Sequence, residues 1–82
     1  MAPAYSKHAL HQMALRGVQE EDVKQALSHP VGPPDAGVPG TVWIRGFAVG
    51  GRILKVCVRA NDNNYVITVA WPGVGDPKEK SE

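Results

Sequence analysis

Residues 30–40, PVGPPDAGVPG, hold four prolines and three glycines, and no regular element of any length can run through them. Proline fixes its own φ, lacks an N–H, and turns the residue before it away from helical geometry. The stretch cuts the chain in two, and the hydrophobic period differs on its two sides. Before it, apolar residues recur at helical spacing. After it, they alternate.

On the helical side, Ser6 is placed to cap a first helix over Lys7 to Arg16, and Gly17 supplies the left-handed residue that ends it. Ala9, Leu10, Met13 and Ala14 form its apolar stripe, with His8, His11, Gln12, Leu15 and Arg16 around the remaining arc. A second helix follows at once. Glu20, Glu21 and Asp22 fall in its first turn, where carboxylates complement free amides, and Val18 can staple to Val23 across a Gln19 cap. Val23, Ala26 and Leu27 are its buried side, and it stops at His29 because Pro30 follows.

On the alternating side, TVWIRGFAV (41–49) and RILKVCVRA (52–60) flank Gly50-Gly51, and an Asn/Asp cluster (61–64) leads into YVITVAW (65–71). These are two consecutive hairpins. Leu54, Val56 and Val58 share one face of the central strand, with Val42, Ile44 and Ala48 beside them in the first. The other face collects Trp43, Arg45, Phe47, Ile53, Lys55, Cys57 and Arg59. In the third strand Tyr65, Ile67, Val69 and Trp71 read as the core set, leaving Val66, Thr68 and Ala70 outside. The expected fold is α+β, with two N-terminal helices packed on one face of a three- to four-stranded antiparallel sheet. Residues 30–40 then connect the layers, with room for a short edge strand.

Eighty-two residues make one small domain, expected over 5–72, with a flexible polar tail at 73–82. Cys57 is the only cysteine, so no disulfide framework exists within the chain, and a reducing, cytoplasmic setting is expected. Neither a membrane span nor a signal peptide is expected. The net charge of +1 conceals an uneven distribution: between Ala36 and Asn61 stand Arg45, Arg52, Lys55 and Arg59 without any Asp or Glu. His8 and His11 can share a helix face, but neither Cys-x-x-Cys nor His-Glu-x-x-His spacing occurs, and no metal or other cofactor is expected.

The segments SKHALHQMALRGVQEEDVKQALSHP and GRILKVCVRANDNNYVITVAW, in this order, resemble a bacterial family of domains of unknown function. That family is similar to RelE/ParE-type toxins and to the barnase and colicin ribonuclease group. The resemblance covers about residues 5 to 72, and His8, Arg16, Gly17, Val18, Pro30, Gly51 and Arg52 fall on its recurrent positions. Gln12 stands where an arginine is common, one cationic charge fewer beside His8, and Gln19 stands where serine is usual.

The resemblance implies a RelE-like toxin that cleaves RNA without a metal, the ribose 2′-hydroxyl attacking the adjacent phosphate. Such chemistry needs a proton acceptor and donor near neutrality and cations on the developing phosphorane. His8 is the candidate acid/base, with Arg16 further along the helix. Arg45, Lys55 and Arg59 are candidates for holding phosphates, and Trp43 or Phe47 for stacking a base. Two other readings stand beside this one: a non-catalytic module binding RNA or a protein through the same basic face, and a homo-oligomer formed through a sheet edge. The partners expected are accordingly RNA, an antitoxin protein, or a second copy of the chain.

Overall fold

The computed structural model describes residues 3–72. Its elements are β1 (Ala4–Tyr5), α1 (Lys7–Arg16), α2 (Glu20–Ser28), β2 (Asp35–Ala36), β3 (Thr41–Phe47), β4 (Ile53–Arg59) and β5 (Asp62–Ala70). The strands form one sheet in the order β1-β5-β4-β3-β2. The α+β class is as expected, but the sheet is five-stranded and mixed, not three- to four-stranded and antiparallel. β1 runs parallel to β5, with Ala4 beside Tyr65 and Tyr5 beside Val66, while the other neighbours are antiparallel. Two-residue strands carry no readable period, and backbone pairing alone recruits them to the edges. The tail expected at 73–82 lies outside the described residues.

Ser6 joins the first helix to the sheet. Its hydroxyl accepts from the Ala9 N–H at 2.9 Å and donates to the Ile67 carbonyl at 2.9 Å, so one side chain caps α1 and anchors it on β5. At the other end Gly17 takes φ +70°, and the Val18 N–H returns to the Met13 carbonyl at 2.8 Å. The buried stripe of α1 is narrower than its sequence suggests: Ala9 and Met13 are buried, while Leu10 is half exposed and Ala14 is exposed. α1 packs along β5 and touches β1, toward the margin of the sheet, where less surface is available to cover it.

α2 packs on β3 and β4, burying Val23 and Ala26. Asp22 does more than complement free amides. It is buried, its Oδ2 accepts from the Gln19 N–H at 2.9 Å, and its Oδ1 accepts from the Val49 N–H at 3.2 Å, tying the start of α2 to the β3–β4 hairpin. The core beneath the helices is Leu54, Val56, Val58, Val66, Val69 and Trp71, with Val42 and Ile44 packed against it.

The β3–β4 register sets Val42 opposite Val58 and Ile44 opposite Val56 on the core face, as the alternation predicts. In β5 the expected phase fails halfway. Thr68 pairs with Cys57 but Val66 pairs with Val58, so Ile67 is an extra residue at a bulge. Val69 and Trp71 keep their expected inward positions, whereas Val66, expected on the open face, is fully buried and Tyr65, expected in the core, lies under Arg59.

Candidate functional site

Helices cover one face of the sheet and leave the other bare. Along that bare face the β3–β4 register sets Thr41 beside Arg59, Trp43 beside Cys57, Arg45 beside Lys55 and Phe47 beside Ile53, with Thr68 and Ala70 of β5 continuing the second and third rows. Cations and rings on it are paired. The Lys55 ammonium lies 5.3 Å from the centre of the Trp43 ring, and the Arg59 guanidinium 3.9 Å from that of Tyr65. Both distances fall within cation–π range. Phe47 adds a half-exposed ring at the end of the face.

Arg45 is partly engaged already. Its Nε lies 3.5 Å from Oδ2 of Asp35, which the β2–β3 pairing brings to the neighbouring edge strand. The charge run read from the sequence begins one residue after this carboxylate, so the pairing was not visible there. Cys57 is buried amid the face. Burial pushes its thiol above the ordinary value, and the hydrogen bond with the Thr41 side chain works the other way. Cys57 thus holds little thiolate at neutral pH and serves as a packed sheet residue.

His8 and Arg16 are not on this face. Both belong to α1, in the helical layer, with the sheet between them and Trp43, Arg45, Lys55 and Arg59. Within α1 they do share a side: His8, Gln12 and Arg16 follow at i, i+4 and i+8, and Arg16 Nε donates to Gln12 Oε1 at 2.9 Å. His8 is exposed and Arg16 is partly buried. The seven candidates therefore divide into a sheet group of five, Phe47 included, and a helix group of two.

Two residues given no ligand role by the sequence reading, Arg52 and Trp71, belong with the helix group. The Trp71 indole N–H donates to the Arg16 carbonyl at 2.8 Å, and the Arg52 guanidinium lies 4.0 Å from the centre of the same ring. The even-numbered phase of β4 was the signal that could have placed Arg52 on the helical side.

Among the described residues, no group of three or more His, Cys, Asp and Glu forms a potential metal site, and no helix is long and apolar enough to cross a membrane. Comparison with curated proteins returned no match, and comparison with solved structures returned none either. Comparison with protein families matched residues 5–71 to a domain of unknown function, DUF4258. The chain belongs to the DUF4258 family of domains of unknown function.

Proposed function

We propose that the bare sheet face is a binding surface for single-stranded RNA and that the domain works as a binding module. The observation that carries this reading is the placement of the Lys55 ammonium over the Trp43 ring and of the Arg59 guanidinium over the Tyr65 ring. An unpaired RNA strand presents a phosphate and an unstacked base at each nucleotide, and a face that alternates cations with rings answers both. An antitoxin-like acidic protein would compete for the same cations.

The test is fluorescence anisotropy of a labelled mixed-sequence RNA against the intact protein at rising salt. Binding should weaken steeply with salt, and Arg59→Ala or Trp43→Ala should weaken it further, by roughly 1–3 kcal/mol for the loss of a stacking ring. Saltwise-flat binding, or none at low salt, would reject the proposal.

A second reading is favoured by the line of His8, Gln12 and Arg16, in which Gln12 braces the guanidinium. On it the chain is a RelE-like, metal-independent endoribonuclease with His8 as acid/base and Arg16 on the phosphate. Its signature is RNA products ending in 2′,3′-cyclic phosphate in the presence of EDTA, formed by the native protein and absent with His8→Ala.

A further inference from the structure

The short edge strand β2 sets an acid at the margin of the bare sheet face. Its register places Asp35 opposite Trp43 and Ala36 opposite Val42. Residues opposite each other in an antiparallel pair project to the same side, so Asp35 shares the side of Trp43 and Arg45. From there its Oδ2 reaches diagonally to within 3.5 Å of Arg45 Nε. The segment lies close on the face: a Cβ at Gly37 would stand 3.3 Å from Cδ1 and 3.4 Å from Nε1 of the Trp43 indole, and the Gly37 N–H donates to the Thr41 carbonyl at 3.3 Å. Pro33 and Pro34 lead into Asp35 with φ already fixed, so less chain freedom is lost in holding the acid there.

The contact attracts without bonding. Arg45 Nε is buried, and among the described residues no acceptor meets it with hydrogen-bond geometry, Asp35 included. The Arg45 and Asp35 side chains stay 40% and 56% exposed, a setting in which an ion pair contributes little. A phosphate offers a guanidinium what this carboxylate does not, acceptor oxygens placed for two parallel N–H···O bonds. Exchange of one for the other replaces a long ion pair with a forked one and leaves Asp35 as a free negative charge beside the arriving strand.

We propose that Asp35 is a built-in competitor for RNA at the sheet face: its carboxylate occupies Arg45 in the free protein, and a backbone phosphate of the bound strand displaces it. The inference rests on the reading of this face as an RNA-binding surface. Arg45 joins that surface when a phosphate arrives, and the displaced acid makes binding weaker than the cations of the face alone would give.

The test follows the anisotropy of a labelled, unstructured RNA across a series of salt concentrations with the native protein, with Asp35→Asn and Arg45→Gln, and with the double variant, each shown to be folded by circular dichroism. Asp35→Asn should bind about threefold tighter at low salt. Its affinity should also fall more steeply with salt, the slope of log K against log[salt] growing by up to about 0.7, because no freed carboxylate draws a cation back when RNA binds. In the Arg45→Gln background the same change should leave the slope unaltered, since Asp35 there has no partner to lose. A slope that steepens equally with and without Arg45 assigns the effect to repulsion through space and overturns the inference. So does native protein that binds RNA with a slope and affinity that Asp35→Asn leaves unchanged. Absence of RNA binding at low salt by both the native and the Asp35→Asn protein rejects the reading of the sheet face itself, and the inference falls with it.

Discussion

Trp71 and Arg16 are 55 residues apart in sequence, and the indole N–H of the first donates to the carbonyl oxygen of the second at 2.8 Å. The bond satisfies one of the carbonyls that the end of a helix leaves without a partner, and it closes α1 onto the end of β5. Replacing Trp71 with Phe keeps an apolar ring but orphans that carbonyl. Thermal and urea unfolding should show a loss of roughly 1–2 kcal/mol, a fall in Tm of about 5–10 °C. An unchanged Tm would mean that the bond contributes nothing to the joint.

Gly46 is determined by space and not by conformation. A Cβ at this position would overlap the Ala26 carbonyl group, standing 2.7 Å from its carbon and 2.9 Å from Ala26 Cα. The obstacle is helix backbone, which cannot swing aside as a side chain would. Gly46→Ala should therefore push α2 from β3 and destabilise the domain by about 1–3 kcal/mol or more, read from the urea midpoint. A neutral effect would show that α2 is free to shift on the sheet.

The helices and the β3–β4 hairpin were legible because each is written in local chemistry: Ser6 and Gly17 bracket α1, Pro30 ends α2, and Gly50-Gly51 makes the turn. Less was legible where structure depends on distant partners. The two-residue β1 and β2 have no period of their own, and the Ile67 bulge reverses the phase of β5 without a mark in its alternation. The separation of His8 from Trp43, Arg45, Lys55 and Arg59 was implicit in the sequence, since helices that cover the apolar sheet face must leave the charged face behind them. Reading each residue type for its chemistry alone obscured that. The contact of Arg52 with Trp71 joins the start of one strand to the end of another, and no local pattern announces it.

Cys57, which is buried, and Tyr5, which is partly buried, give the stability curve an alkaline slope. Burial, and secondarily the negative charge of Glu20, raise the Tyr5 phenol above its ordinary value, and among the described residues its hydroxyl has no hydrogen-bond partner. Burial also raises the Cys57 thiol. Both groups are harder to ionise in the folded chain than in the unfolded one, whose values are about 8.5 for Cys and 10 for Tyr. Their stabilisation is complete below those values and is lost as pH rises through the higher folded ones. The urea midpoint of the native protein should fall more steeply above about pH 9 than that of Tyr5→Phe/Cys57→Ser, with the two curves parallel at neutral pH. Parallel curves throughout would remove both residues from the account.

The most direct test of the RNA-binding face is residue-level mapping. Amide and side-chain resonances of the isotopically labelled protein are followed while an unstructured RNA oligonucleotide is added at low salt. The account predicts that the largest shifts fall on Trp43, Lys55, Arg59 and Tyr65, and that they diminish together as salt is raised. RNA-dependent shifts confined to α1 and the Trp71 corner, with β3 and β4 unmoved, would contradict it.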